Sequence, residues 1–297
     1  MLGIAVALGC AAFFGLYMAP RKLCKMGGIP FLLTMMIGVL GSLLVAWLLA
    51  GRPHDAHGFD VALSAFCGVL WTLGTLFFIL GVMRLGLAVS TTIKNTTAVW
   101  GALFGIVLFH EGIHTEPVTC VLGSVLIALA ACVMGLIGSD NDRSHGLSVP
   151  GLAYSLLASL CYAAYTIPMK VVRAHGVSFL EVTFYMAFGA AVTGLLMFTT
   201  MDRDFRAWAR QPLRDHAYAL LAGVLWSVAV LTMTVALDLV GLAVTWPIAN
   251  VNTVFAVALG VFVFREISVA RHGRMLALGM FFAVGGVCLL GLSKALR

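Results

Sequence analysis

Charged residues are scarce in this sequence. Only 10% of its 297 residues are Asp, Glu, Lys or Arg, whereas about 25% is usual in a soluble protein. The net charge is +6, and the basic residues lie near the ends of apolar stretches. They form no continuous basic face, which excludes nucleic-acid binding. Apolar residues make up 62% of the chain, and the mean hydropathy is +1.06. The composition therefore predicts an integral membrane protein without a soluble domain.

Sequence motifs for catalysis, phosphate binding and metal binding are also lacking. There is no nucleophile beside a base, no glycine-rich phosphate loop and no metal-ligand cluster in the sequence. The seven cysteines are odd in number, scattered and mostly within apolar stretches, so they form no disulfide framework. We therefore expect no enzyme activity, no cofactor, no metal and no step driven by ATP.

Ten apolar stretches are long enough to cross a membrane, because about 20 apolar residues span its core. They lie near 3–20, 30–50, 61–83, 86–109, 117–138, 148–170, 179–200, 217–238, 241–264 and 273–293. Twelve arginines and lysines fall in the loops after odd-numbered spans and five on the other side. This bias predicts cytoplasmic loops after the odd spans and non-cytoplasmic termini. We expect an all-α multi-pass protein of the plasma (inner) membrane, with no cleaved signal peptide.

Two parts of the sequence repeat each other. "LYMAPRKL" at 16–23 returns as "AYTIPMKV" at 164–171, an offset of 148. Further along, "GVLWTLGTL" at 68–76 matches "GVLWSVAVL" at 223–231, and "GLAVSTTIKN" at 86–95 matches "GLAVTWPIAN" at 241–250, an offset of 155. We assign the seven extra residues to the arginine-rich loop near 202–215. About one residue in three is identical between 68–111 and 223–266, which indicates an internal duplication.

The two halves, 1–140 and 146–297, hold five predicted spans each. Because five is odd, the second half enters the membrane from the opposite side, which predicts an inverted-topology repeat. Such repeats exchange conformations about an axis in the membrane plane, and their solute sites lie near the midplane. This pattern favours a transport protein over the alternative that the duplication only stabilises a helical bundle.

These motifs resemble those of a known superfamily. The tryptophan span followed by "MRLGLAV", and the polar fourth span closing on "LFHE" with its echo "FVFRE", resemble the drug/metabolite transporter superfamily, with its ten-helix, EamA-like members. "GLYMAPRKL", "TIPMKVV" and "GVLWTLGTLFFILGVMRLG" are most similar to its sugar branch, the glucose/ribose porters and rhamnose–proton symporters. The resemblance implies two five-helix halves that carry a monosaccharide, and it leaves proton coupling open.

Polar residues concentrate in the fourth and ninth spans, which are equivalent in the two halves. Helical spacing predicts one polar face in each span, formed by Thr91, Lys94 and Asn95 and by Trp246, Asn250 and Thr253. Pro247 lacks a backbone donor and frees the carbonyl of Ala243, which is tolerated where backbone is buried or lines a cavity. Single threonines are explained by helix packing, but the matched pair Asn95 and Asn250 favours a cavity role.

Lys94 is the most informative single residue. It lies eight residues after Gly86, or roughly 12 Å into a membrane core of about 30 Å. One reading is that its ammonium group snorkels back to the interface. In the other it faces a cavity, where it donates to sugar hydroxyls, pairs with an anionic solute, or acts as a fixed charge during transport. Its repeat mate is Ala249, so the duplicated scaffold does not require a lysine.

Aromatic residues are also matched across the repeat. Trp71 pairs with Trp226 and Tyr17 with Tyr165. In a sugar site such rings would stack on the apolar face of a pyranose, while Asn, Thr and Lys bond its hydroxyls. Interfacial anchoring is the alternative for all four, and packing at the kinks near Pro20 and Pro168 competes for the tyrosines.

Acidic residues within the spans are few. Coupling to protons typically uses an intramembrane carboxylate or histidine, and all eight histidines fall in loops or near span ends. Glu181 is the first candidate for coupling and Asp238 the second. Glu111 and Glu266 end the fourth and ninth spans at equivalent positions, and we expect them to bond neighbouring loops.

The sequence therefore predicts a secondary or facilitative carrier of a small polar solute, most simply a monosaccharide. Spans four and nine, with spans one, three, six and eight, would enclose its site. A carrier of an organic anion or amino-acid-like metabolite is the alternative favoured by Lys94, and a non-transporting scaffold or sensor is the alternative of another class. We expect the monomer to be the functional unit, with H+ or another ion as a candidate coupled partner.

Overall fold

A computed structural model describes residues 2–85, 90, 93–113, 116–137, 148–264 and 269–296. Every regular element in these ranges is helical. The first half contains α1 Leu2–Leu16, α2 Ala19–Leu23, α3 Gly28–Leu49, α4 Gly58–Leu85, α5 Thr97–Leu108, a 3-10 turn at Glu111–Ile113 and α6 Pro117–Ile137. The second half contains α7 Val149–Ala164, α8 Thr166–Ala174, α9 Phe179–Met201, α10 Phe205–Ala209, α11 Leu213–Val240, α12 Leu242–Ala249, α13 Asn252–Phe262 and α14 Val269–Ala295.

The fold is that of an integral, multi-pass membrane protein. Within the described ranges, nine helical segments are long and apolar enough to cross a membrane, counting α1 with α2, α7 with α8 and α12 with α13 as single spans. The tenth predicted span is represented by the shorter α5 of 12 residues. The all-α prediction is confirmed for the described residues, and each of the other nine predicted spans coincides with a long helix.

Successive spans run in opposite directions between two ends of the bundle. End A holds residues 24–27 and 202–212, and end B holds residues 50–57 and 175–178. At each end a hydrogen bond joins a loop to the first turn of a helix that is distant in the sequence. The backbone N–H of Lys25 donates to Asp215 at end A (3.3 Å), and that of Asp55 donates to Glu181 at end B (3.0 Å).

Four spans are interrupted near their middle. The breaks lie at Tyr17–Met18, Asn95–Thr96, Tyr165 and Asn250–Val251. The first and third are equivalent in the sequence repeat, and so are the second and fourth. In span nine the break at Asn250–Val251 falls before Thr253 and interrupts the face predicted there. In span four the break begins at Asn95, after Lys94, and the third member of that predicted face, Thr91, lies outside the described residues. In span nine the side chain of Asn250 donates to the carbonyl of Trp246 (2.8 Å) and so competes with the backbone ladder.

Pro247 has the predicted effect on the helix around it. It has no N–H to offer to the carbonyl of Ala243, four residues earlier. That carbonyl instead accepts from the thiol of Cys120, at 3.4 Å. Cys120 lies in α6, so the carbonyl that the proline leaves free bonds α12 to a helix of the first half.

Glycines let the two halves approach closely at repeat-related places. A Cβ on Gly68 of α4 would overlap the carbonyl oxygen of Met186 in α9. A Cβ on Gly223 of α11 would overlap the carbonyl oxygen of Met35 in α3. Gly68 and Gly223 are mates in the "GVLW" repeat, so α4 meets α9 as α11 meets α3.

Candidate functional site

A cavity of about 130 Å³ lies among the four helix breaks, between the middle of the bundle and end A. It is lined by Phe14, Tyr17, Met18, Trp71, Thr75, Phe78, Lys94, Thr97, Tyr162, Tyr165, Trp226, Trp246, Ala249, Asn250 and Asn252. These residues come from spans one, three, four, six, eight and nine, the six spans expected to enclose a site. We call this space the central cavity.

Aromatic rings form most of the central cavity. The rings of Trp71 and Trp226 lie 4.1 Å apart between centroids, with an angle of 32° between their planes. Tyr165 meets Trp246 edge to face at 5.4 Å, and Phe14 lies 6.4 Å from Trp226. Because these rings pack on one another, they are fixed before any ligand binds. The wall therefore offers flat apolar surfaces in a set arrangement.

Lys94 is the one charged side chain among the described residues that line the central cavity. Its Nζ lies 5.9 Å from the ring centroids of both Phe78 and Tyr162, a distance at which a cation is attracted to an aromatic face. No described lining residue carries a carboxylate. Lys94 thus brings a positive charge to the cavity that two rings hold in place and that no lining acid neutralises.

Polar groups of span nine complete the wall. Asn250 bonds the carbonyl of Trp246 through its amide nitrogen, which leaves its carboxamide oxygen without a described donor. The indole Nε1 of Trp246 is buried, and no described residue accepts a hydrogen bond from it. A buried donor without a partner costs free energy, so a polar ligand would gain by accepting from it.

Two of the predicted site residues that the structure describes, Asn95 and Thr253, do not line the central cavity. Asn95 is fully buried, and neither atom of its carboxamide has a hydrogen-bond partner among the described residues. Thr253 donates to the side chain of Asn252 (3.2 Å), which lines the cavity, but Thr253 itself is not among the lining residues. Thr91 lies outside the described residues. The other seven, Lys94, Asn250, Trp246, Trp71, Trp226, Tyr17 and Tyr165, are brought together.

The described hydroxyl groups of span four bond a neighbouring helix. This agrees with the interpretation that single threonines of this span serve helix packing. Ser90 bonds Ser155 at 2.8 Å, and Thr96 bonds Ser159 at 2.9 Å. Both partners belong to α7. Thr97 also bonds Ser159, although it lines the central cavity as well.

The two coupling candidates lie at end B, away from the central cavity. The carboxylate of Glu181 accepts the backbone N–H groups of Asp55 and Ala56 at 3.0 and 3.1 Å, and so anchors the loop at 50–57. Asp238 pairs with the guanidinium of Arg173. Either residue would have to leave these partners to carry a proton, and coupling stays a prediction.

Several lining residues escaped the sequence analysis, although signals for them existed. Tyr162 is the repeat mate of Phe14 at the offset of 148. Thr75 and Phe78 follow Trp71 by one and two helical turns, so they share its face. Tyr162 donates to Thr75 at 3.0 Å, which links these two missed positions.

A membrane bundle whose broken helices surround an aromatic and polar cavity has the architecture of a membrane transport protein. Comparison with known families agrees. The family described as "Sugar transport protein" matches residues 2–137 and 139–293. The chain belongs to this family.

Individual relatives are distant but extend over nearly the whole chain. A "Putative sugar uptake protein" of Bacillus cereus (strain ATCC 10987 / NRS 248) is 27% identical over 278 residues, covering 91% of this chain and 93% of its own length. The "Glucose uptake protein GlcU" of Bacillus subtilis (strain 168) is 25% identical over 282 residues, covering 91% and 92%. One solved crystal structure, 16% identical, covers 99% of this chain and 98% of its own with a TM-score of 0.78, which shows likeness of fold alone.

Proposed function

We propose that the protein carries a monosaccharide across the membrane through the central cavity. The observation that carries this proposal is the pairing of fixed aromatic faces with hydrogen-bonding groups. A pyranose has an apolar face of C–H groups and a rim of hydroxyls. Trp71, Trp226 and Tyr165 suit the first, while Lys94, Asn250 and the unpartnered Nε1 of Trp246 suit the second. The relatives named for sugar or glucose uptake support the same solute class.

The size of the central cavity also fits this class. About 10–15 Å³ of such volume admits one water molecule, so 130 Å³ holds roughly ten groups of that size. A hexose has about a dozen non-hydrogen atoms, so it would fill the space and displace the water from it. A disaccharide would not fit without movement of the helices.

Alternating access between two inverted five-helix repeats, 1–140 and 146–297, is the mechanism that we propose. Repeat mates contact each other across the bundle, as Trp71 and Trp226 do. The contact of α4 with α9 is matched by that of α11 with α3. Such a relation lets each half take up the conformation of the other. We also propose that the chain belongs to the EamA-like drug/metabolite transporter superfamily, which the motifs "MRLGLAV", "LFHE" and "FVFRE" support.

The burial of repeat mates supports a cavity that is shut towards end B. Met18 lines the central cavity and is 44% exposed, whereas its mate Thr166 is fully buried. Likewise Thr75 and Phe78 line the cavity, while their mates Val230 and Met233 are fully buried. With end A in the cytoplasm of a plasma-membrane protein, as the charge bias predicts, this state faces inward.

Counterflow in proteoliposomes tests the proposal. Vesicles loaded with unlabelled monosaccharide are expected to take up labelled glucose faster than empty vesicles, because a carrier exchanges solute on both sides. If carboxylates exchange and neutral sugars do not, the sugar assignment is wrong. If no solute exchanges, and none from a broad panel raises the thermal stability of the purified protein, the result favours the scaffold alternative.

Lys94 favours the second candidate function, carriage of an organic anion such as a sugar acid, because none of the described lining residues is an acid that would neutralise it. Replacing it by methionine keeps the length of the side chain and removes the charge. For a neutral sugar we expect weaker transport, with KM raised about 10- to 150-fold by the loss of one charged hydrogen bond of about 1.5–3 kcal/mol. For an anion we expect transport to be abolished. Initial rates for glucose and gluconate, measured side by side, separate the two.

A further inference from the structure

We propose that Glu111 and Lys170 form a lock that holds the transporter shut at end B. The ammonium group of Lys170 in α8 pairs with the carboxylate of Glu111, which follows α5. It also lies 4.4 Å from the ring centroid of Phe109. This inference rests on the proposed alternating-access function and assigns to these residues a positioning role in it. None of the three lines the central cavity.

Glu111 is bound to the second half by more than the ion pair. Its two carboxylate oxygens accept the backbone N–H groups of Leu242 (2.8 Å) and Ala243 (2.7 Å) at the start of α12. The chain enters α12 through Gly241, whose φ of 81° favours glycine. A Cβ there would come within 2.8 Å of the carboxyl carbon of Glu111. The close approach of Glu111 to α12 therefore depends on the backbone conformation of Gly241 and on its lack of a side chain.

The lock joins the helices that shape the central cavity. α12, which Glu111 holds, supplies Trp246 and Ala249 to the cavity wall. α8, which carries Lys170, begins just after Tyr165, another wall residue. Along α11, the fully buried Val230 and Met233 lie between Trp226, which lines the central cavity, and Leu237, which lines the cavity beside the lock. Separation of Lys170 from Glu111 would therefore free α8 and α12 to part and uncover this layer.

The same residue types recur at the opposite end. Lys22 is the repeat mate of Lys170, and Phe264 is the mate of Phe109. The ammonium group of Lys22 lies 4.7 Å from the ring centroid of Phe264. Each contact joins the first half to the second. Glu266, the mate of Glu111, lies outside the described residues. Paired locks of this kind would give each end its own closure.

The cavity on the outer side of the lock offers a matched control. This space of about 660 Å³ at end B is lined by both Lys170 and Glu111, and also by Arg173 and Asp238. Arg173 and Asp238 form a second ion pair, with the guanidinium Nε 3.2 Å from the carboxylate. Among the described residues, neither Arg173 nor Asp238 forms a hydrogen bond or ion pair with Glu111. Removal of Arg173 therefore alters the charge of the same cavity without touching the lock.

Cysteine labelling measures the state of the lock without requiring transport. Val230→Cys reports opening at end B, and Met18→Cys reports opening at end A. The three cysteines that are not buried, Cys132, Cys161 and Cys288, are first replaced by alanine. A membrane-impermeant maleimide is then applied from one side of oriented vesicles, and a parent without either reporter corrects for the four buried cysteines.

Lys170→Met is expected to raise labelling of Val230→Cys from end B about tenfold and to lower labelling of Met18→Cys from end A. A tenfold shift corresponds to about 1.4 kcal/mol between the two states. Lys170→Arg, which keeps the charge, should label at close to the parent rate, as should Arg173→Met. If Lys170→Met does not fold, Phe109→Leu is compared in the same way and is expected to shift both reporters in the same directions.

Three results would overturn the lock. These are unchanged labelling of Val230→Cys in folded Lys170→Met, an equal rise in Arg173→Met, and a rise at both reporters together, which indicates loosening of the whole bundle. The result is independent of the solute. If the reciprocal change occurs and no sugar exchanges, the lock stands and the sugar assignment fails. If sugar exchanges and the reporters do not move, the lock fails and the sugar assignment stands.

Discussion

Trp226→Ala is expected to lower monosaccharide exchange about 100-fold, a loss equivalent to about 2.7 kcal/mol of transition-state binding. Trp226 is 2% exposed, and it touches both Trp71 and Phe14 in the wall of the central cavity. Without its ring, the wall loses a flat surface and Trp71 loses the partner that orients it. The measurement is counterflow of labelled glucose, with a thermal-shift titration of the same variant as the readout of binding.

Matched variants separate loss of the site from loss of the fold. Removing a buried tryptophan costs about 3–5 kcal/mol of stability in general, so a tryptophan outside the site is needed as a control. The half-buried Trp47 serves this purpose in the variant Trp47→Ala. Trp47 stacks on Phe184 with ring centroids 4.9 Å apart, and it lies outside the central cavity. It should lose stability and keep most of its exchange. Trp226→Phe keeps a ring and should recover part of the rate. Exchange by folded Trp226→Ala within about threefold of the parent would show that the central cavity is not the route.

Much of the site could be predicted because the duplication marks it twice. A residue pair such as Trp71 and Trp226 is recognised by its repetition, without any knowledge of packing. Lys94 was found for the opposite reason, since a charge deep in an apolar stretch needs an explanation. Both signals are carried by single positions in the sequence, so neither depends on how the helices cross.

A prediction that spans a helix break depends on where the helix stops. A continuous helix would place Thr253 on the face of Asn250, but the helix breaks at Asn250–Val251, and Thr253 does not line the central cavity. A period of 3.6 residues describes only an unbroken helix. The roles of Glu111 and Lys170 depend on contacts between residues 59 positions apart, which no local pattern reports. Their meeting is a consequence of how the two halves pack.

The packing of the two halves also changes the alignment of the repeat, because it gives the offset between mates in the second span. The overlap of Gly68 with Met186 matches that of Gly223 with Met35, so Met35 corresponds to Met186 at an offset of 151. The offset is 148 in the first span and 155 in the third. The extra residues are therefore divided between two loops, and the assignment of all seven to 202–215 is wrong. Only helix contacts could reveal this, because Met35 and Met186 lie in stretches with little sequence identity.

Gly68→Ala and Gly223→Ala are expected to destabilise the protein strongly and to a similar extent. In each case the added Cβ would overlap a carbonyl oxygen of the facing helix, and backbone cannot move aside as the end of a side chain can. Overpacking of this kind costs about 1–3 kcal/mol or more. Because the two glycines are repeat mates in equivalent contacts, a similar loss at both would support the two-fold relation between the halves. The measurement is the unfolding midpoint of each purified variant in the same detergent.

A third glycine supplies the control. Gly41 lies within α3, and nothing lies within 4 Å of a Cβ built on it. Gly41→Ala should leave the midpoint unchanged or raise it, since alanine is about 1 kcal/mol more favourable than glycine inside a helix. Equal midpoints for all three variants would show that α4 and α11 do not approach their partners as closely as described. A large loss at Gly68 alone would instead show that the two contacts are not equivalent, which would argue against exchange of conformations between the halves.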